Sequence, residues 1–154
     1  MSDEFYMKEA LKEADAALRD GEIPIGAVVV CRDRIVARGH NMTERLQDPT
    51  AHAEMIAITA ATEAVGGKYL TGCTLYVTVE PCPMCAAALG WAQISRIVWG
   101  ADDPQRGYSL FSAPASDETS GQRRSLLHPK TETASGVLRE DCSARMTEFF
   151  RSRR

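Results

Sequence analysis

Two short stretches of the chain carry residues able to do chemistry. His52-Ala53-Glu54 places an imidazole two residues ahead of a carboxylate, and Pro81-Cys82-Pro83-Met84-Cys85 places two thiols three residues apart. Positions i and i+3 share one face of a helical turn, so both thiols point the same way if a helix opens there. Prolines are tolerated in such an opening turn. The positive end of the helix dipole lowers a thiol pKa and favours the thiolate, the form that binds metal. One imidazole and two thiolates make a Cys2His zinc site with a fourth position open to water, the catalytic rather than the structural pattern. Zinc held this way activates water near neutral pH. Glu54 stands close to such a metal without having to bind it, which suits a general acid/base.

Taken singly, each stretch has a blander reading. A His-x-Glu triplet can be a surface coincidence, and a Cys-x-x-Cys can be half a zinc ribbon or a thioredoxin-like redox pair. The chain holds no second Cys-x-x-Cys, which weakens the ribbon, while Pro83-Met84 after a strand leaves the redox pair open. Cys31, Cys73 and Cys142 read as core thiols. Cys73 as a fourth ligand would close the site, but it precedes the strand whose far end feeds Cys82. Glu80, in the turn before Pro81, reads as a structural hydrogen-bonding group.

These residues need elements to position them. Met7, Ala10, Leu11, Ala14, Ala17 and Leu18 recur at helical spacing over residues 4–19, with Gly21 as a stop. Residues 27–31 and 34–39 read as a hairpin turning at Arg32-Asp33. A polar stretch ending in Asp48-Pro49-Thr50 precedes a helix over about 52–65, closed by Gly66-Gly67. A strand at 74–79 feeds the helix that opens on the cysteine motif and runs to Trp91. A strand at 94–99 follows, then a long polar loop over 102–129, of the kind that is usually functional or mobile. A helix over about 138–151 ends the chain. Strands alternating with helices predict an α/β layered domain.

Composition sets the frame. The 154 residues suit one domain, 1–154, able to bury a core without staples. No apolar run approaches the ~20 residues of a membrane span. The acidic, amphipathic N-terminus argues against a signal peptide. Five cysteines, an odd number, fit a reducing cytoplasm better than a disulfide scaffold. The net charge of −3 is unevenly spread. Residues 1–90 carry 8 Lys+Arg against 13 Asp+Glu, while residues 91–154 carry 10 against 8. Arg151, Arg153 and Arg154 give the chain a basic end that can meet phosphate or simply complement a helix C-terminus.

The pairing of His-x-Glu with Pro-Cys-x-x-Cys is the signature of zinc nucleobase deaminases. The sequence resembles the cytidine-deaminase-like superfamily, and within it the bacterial tRNA-specific adenosine deaminases. The resemblance runs through Glu22-Ile23-Pro24-Ile25-Gly26-Ala27, Asn41, and the stretches 48–54, 74–85 and 100–103. It ends at Gly136-Val137-Leu138, Cys142 and Phe149-Phe150-Arg151. It implies a three-layer α/β/α fold with a five-stranded mixed sheet, and a homodimer with sites near the subunit interface. It also implies one Zn2+ per subunit on His52, Cys82 and Cys85, with Glu54 as proton shuttle. Asn41, Ile23, Ala101 and Asp103 match positions lining the pocket or contacting the target nucleoside. The implied reaction is hydrolytic deamination of the wobble adenosine of a tRNA anticodon, whose bases are already unpaired. Arg145, Arg151, Arg153 and Arg154 on the last helix and tail are the expected phosphate contacts. The family's Asn-His pair before the last strand is missing, with Ser125-Leu126-Leu127-His128-Pro129-Lys130 in that region. Pro83 and Gly90-Trp91-Ala92 occur also in guanine deaminases of the superfamily, which makes a small free purine the alternative substrate.

Overall fold

Alternation decides the layers. In a computed structural model of the chain, which describes residues 1–111 and 125–153, Val28 and Val30 point to one face of the sheet and Ala27 and Val29 to the other. The strand they form, β1 (Gly26–Cys31), is apolar throughout because both of its faces are covered. Helix α1 (Asp3–Arg19) covers one face with Tyr6, Met7, Ala10 and Leu11. Its N-terminus is capped by the Ser2 hydroxyl, which accepts from the Phe5 N–H at 3.2 Å.

Arg32 and Asp33 both take positive φ, the conformation of a two-residue type I′ hairpin turn, and join β1 to β2 (Arg34–His40). Helix α2 (Ala53–Val65) crosses the opposite face and stops at Gly66, whose φ of 75° ends the helix in a left-handed residue. Strand β3 (Cys73–Val79) leads into helix α3 (Pro83–Trp91), and β4 (Arg96–Ala101) follows. A 3-10 turn (Tyr108–Phe111), a three-residue strand β5 (Glu132–Ala134) and helix α4 (Arg139–Ser152) complete the described chain. The sheet order is β2-β1-β3-β4-β5, with β1 antiparallel to β2 and β3, and β3, β4 and β5 parallel. This is the expected five-stranded mixed sheet between helices.

The helices press close to the sheet. A Cβ on Gly39 would sit 2.6 Å from the Ala53 carbonyl oxygen and 2.8 Å from the Ala57 nitrogen, so only glycine lets α2 approach β2 this closely. That approach sets the height of the α2 N-terminus, where His52 lies.

Two readings of the sequence need correction. Cys31 and Cys73 are not free core thiols; they form a disulfide. They face each other across the antiparallel β1–β3 pair with Cα atoms 4.6 Å apart, the close spacing of a non-hydrogen-bonded pair and within disulfide range. Cys142 is a buried free thiol, as expected. The second correction concerns the loop read over 102–129. It contains the 3-10 turn and, at 126–127, two leucines packed against the core under α3.

Candidate metal and catalytic site

Both metal-ligand candidates that open a helix do so from the N-cap. His52 caps α2 and Cys82 caps α3, each with extended backbone, and neither side chain makes a capping hydrogen bond. The side chains are thereby free to turn toward each other. His52 Nδ1 lies 3.7 Å from Cys82 Sγ and 3.5 Å from Cys85 Sγ. A tetrahedral zinc with ordinary Zn–N and Zn–S bonds spreads such ligand atoms about 3.6 Å apart. The triangle therefore fits that ion. Among the described residues these three form the one cluster of metal-binding type. Cys73, tied to Cys31, is no fourth ligand.

The electrostatics favour the same chemistry. Cys82 is pulled down to about 4 by its hydrogen bond with Cys85 and by His52. The thiolate of Cys82 in turn raises His52 and, with burial, holds the Cys85 proton more tightly. Two thiols and an imidazole sharing protons this way release them when a dication binds. Glu54, in the first turn of α2, is buried and lies in hydrogen-bonding contact with Cys85. Burial pushes its carboxyl up to about 7, against a smaller lowering by its own backbone N–H.

The remaining expected residues gather at one end of the sheet. The register pairs Gly26 with His40 and Val79 with Ala101, so Ile23, Asn41, Ala101 and Asp103 all lie at the end of β3 that feeds Cys82. Asn41 is buried and donates weakly to Thr43 Oγ1 at 3.5 Å. Asp103 is turned inward on its own loop, with Oδ1 accepting from the Gln105 and Arg106 N–H groups at 3.0 Å each.

The arginines divide. Arg145 is fixed by Asp15 and by the Asp141 carbonyl. Arg153 stacks on the Phe149 ring and donates to the Gly21 carbonyl. Arg151 lies on the exposed outer face of α4 between Glu148 and Ser152. Arg154 lies outside the described residues.

Sequence reasoning passed over one buried group near the site. Glu22 is 1% exposed, and its two carboxylate oxygens accept from the Glu44 and Arg45 N–H groups at 3.0 and 2.8 Å. It thereby shapes the loop that follows Asn41. The signal available was an acidic residue set directly before the apolar start of β1.

Comparison with known proteins agrees with this geometry. The family model of the cytidine and deoxycytidylate deaminase zinc-binding region matches residues 1–101. A tRNA-specific adenosine deaminase of Bacillus subtilis (strain 168) is 45% identical over 152 residues, covering 99% of this chain and 91% of that protein. A solved structure of a tRNA:A34 deaminase, from work on A-to-I editing at the wobble position, superposes with a TM-score of 0.79 at 40% identity, covering 92% of this chain and 98% of the other. A guanine deaminase structure from Bacillus subtilis gives a TM-score of 0.65 at 39% identity over 66% of each chain. The fold, the ligand triangle and these likenesses agree, and the chain belongs to the zinc-binding cytidine and deoxycytidylate deaminase family, alongside the tRNA-specific adenosine deaminases.

Proposed function

We propose that this protein hydrolyses the wobble adenosine of a tRNA anticodon to inosine, with release of ammonia. The observation that carries the reading is a 45%-identical tRNA-specific adenosine deaminase matched over 99% of this chain, in a structure that folds His52, Cys82, Cys85 and Glu54 into one site. The whole chain, residues 1–154, acts as one catalytic domain.

His52, Cys82 and Cys85 are the residues that would hold zinc, one ion per subunit. The ion supplies a water activated for attack on the purine C6. Glu54 does the proton work. Its carboxylate takes the proton that the water loses and delivers it to N1 of the adenine. It then takes the proton of the resulting C6 hydroxyl and passes it to the departing amine, so that the C6–N bond breaks, ammonia leaves and the C6 carbonyl of inosine forms. Burial raises this carboxyl above its ordinary value, the direction that lets a carboxylate accept a proton nearer neutral pH. Asn41, Ile23, Ala101 and Asp103 line the nucleoside side. Their task is to orient a base that is already unstacked in the anticodon loop.

Phosphate contact falls to Arg151 and Arg154, with Arg145 and Arg153 held in place by Asp15 and Phe149. Helix α4 runs from Arg139, 3.9 Å from Asp102, to Arg153 at Gly21, and both of those contacts lie at the end of the sheet where the site sits. Removing residues 151–154 then raises KM for tRNA and flattens its salt dependence, leaving kcat near its normal value. The protein acts as a homodimer. Trp91 at the end of α3 is 84% exposed, and Leu110 and Phe111 on the 3-10 turn are 55% and 62% exposed, apolar side chains that a second subunit would cover. Light scattering at micromolar concentration should give the dimer mass. A tRNA substrate goes with a cytoplasmic location; among the described residues no helix is long and apolar enough to cross a membrane.

A second reading, deamination of free guanine, draws on the likeness to the guanine deaminase structure and on the absent Asn-His pair. That likeness spans only 66% of the chain. The purified protein should be assayed on transcribed tRNA, adenosine, guanine and cytosine, reading ammonia and inosine. Inosine in tRNA supports the first reading; ammonia from guanine alone replaces it with the second.

A further inference from the structure

Glu80 is 5% exposed, and among the described residues the hydrogen bonds of its carboxylate all go to one loop. Oε1 accepts from the Asp103 N–H at 3.1 Å. Oε2 accepts from the Ser109 N–H at 3.1 Å and the Ser109 hydroxyl at 2.7 Å. The Glu80 N–H donates to the Ala101 carbonyl at 2.8 Å, and the next residue, Pro81, accepts from the Tyr108 N–H at 2.9 Å. Residues 101–109 therefore hang at both ends from the two residues that immediately precede Cys82. Gly107 passes so near that a Cβ there would collide with the Glu80 carboxylate. A buried carboxylate spending both oxygens on backbone N–H groups holds them strongly, because such charge-assisted bonds are about twice as strong as neutral ones.

We propose that Glu80 is a positioning residue for the deamination: it sets the register of the 101–109 loop, and so of Ala101 and Asp103, against the metal site that Cys82 begins. It does not carry a proton in the reaction, since its oxygens are engaged by the loop. The proposal rests on the tRNA deaminase reading only for the identity of the substrate; the anchoring itself belongs to the fold. An isosteric Glu80→Gln change turns one acceptor into an N–H donor that must face another donor. The loop then loses one of its carboxylate anchors, at Asp103 or at Ser109, while its backbone bonds to Glu80 and Pro81 and the residues of the ligand triangle remain.

The test compares wild type with Glu80→Gln, Gly107→Ala and Ser109→Ala, measuring zinc content, amide exchange, KM and kcat. The substrate is the anticodon stem-loop or, if wild type ignores it, guanine, so that failure of the tRNA reading leaves the anchoring test intact. With full zinc retained, Glu80→Gln and Gly107→Ala are expected to speed exchange at the Asp103 and Ser109 amides about tenfold or more. KM should rise about tenfold, the scale of one lost hydrogen bond to a charged group, with kcat within about threefold of normal. Ser109→Ala should move the same quantities less and add nothing to Glu80→Gln in the double variant. The proposal is overturned by unchanged KM and amide exchange, by a fall in kcat with KM unchanged, or by zinc loss in both Glu80→Gln and Gly107→Ala.

Discussion

Strand β3 has a cysteine pair at each end, and the two pairs share nothing but the residue type. At the start of the strand, Cys73 faces Cys31 across an antiparallel ladder, with Cα atoms 4.6 Å apart, and the two sulfurs are joined. Beyond its far end, Cys82 and Cys85 occupy one turn at the opening of α3, and both sulfurs lie within 3.7 Å of an imidazole. In the strand, side chains of paired residues point the same way with no third group between them, so a covalent bond is the natural product. In the helical turn, backbone dipoles and a neighbouring nitrogen stabilise a thiolate, so metal binding is the natural product. Local backbone conformation, more than the thiol itself, divides a stapled end of the sheet from a reactive one.

Zinc content gives the sharpest contrast between the two ends. Cys82→Ser should lose the metal and with it essentially all turnover, by about three orders of magnitude or more against the metal-dependent reaction. Cys31→Ser should retain one zinc per chain and near-normal kcat. Equal zinc loss from both variants, measured by metal analysis after gel filtration, would erase the distinction. Next in size is Glu54→Ala. It removes the proton carrier but no ligand, so zinc should stay and kcat should fall by ~10²–10⁴-fold. Near-normal turnover in a zinc-replete Glu54→Ala protein would move the proton work elsewhere.

The stapled end should show itself in stability instead. The Cys31–Cys73 bond closes a segment spanning 42 positions that contains β2, Asn41, His52 and Glu54. Closing a loop of that size is worth about 2–4 kcal/mol, mainly through the unfolded chain. At about 2–4 °C of melting temperature per kcal/mol for a chain this long, Cys31→Ser should lower Tm by roughly 4–16 °C. A thiol count on the unfolded, unreduced protein should find three free cysteines, rising to five after reduction. Five before reduction would return Cys31 and Cys73 to the core thiols that their isolated positions suggested.

How far each feature could be read from the sequence follows from the same contrast. His52, Glu54, Cys82 and Cys85 lie in two stretches of three and five residues, so their spacing alone announces helix starts and metal chemistry. The Cys31–Cys73 bond depends on strand register across 42 positions, and nothing near either cysteine signals it. Strand β5 is equally silent in the sequence. Glu-Thr-Ala has no apolar alternation and becomes a strand only by pairing with Arg96, Ile97 and Val98 of β4. The helices and the four longer strands are legible because burial on one or both faces writes a period into them. Asp48-Pro49-Thr50, read as the lead-in to α2, instead closes a turn through Asp48 Oδ1, and the cap falls on His52. The Glu80 carboxylate is readable as structural. Its partners at 103 and 109 are not, because they sit in a loop without periodicity.

The smallest expected effect lies again at the stapled end, where Asp3 ties α1 to the start of β4. Its carboxylate accepts from Arg96 through both oxygens, at 2.8 and 2.9 Å, and from the Tyr76 hydroxyl at 2.8 Å. The Arg96 hydrogen bonds hold the Asp3 carboxyl below its ordinary value, against a smaller opposing push from burial. A carboxyl whose folded pKa is depressed stabilises the fold fully above its unfolded value near 3.8 and loses that contribution as pH falls through the folded value. Both partners are about one-third exposed, so water screens the pair and its worth stays at the level of a surface ion pair. Asp3→Asn should therefore lower Tm by only about 1–3 °C at neutral pH. The gap between wild type and variant should close as pH drops below 3.8, because a protonated Asp3 and the neutral amide that replaces it are then nearly equivalent. Zinc content at neutral pH should not move, since Asp3 touches the end of β3 and β4 that lies away from Cys82. Melting curves across about pH 2–7 for the two proteins test this. A gap that widened in acid, or a loss of zinc in Asp3→Asn, would show that the two ends of β3 are coupled rather than independent.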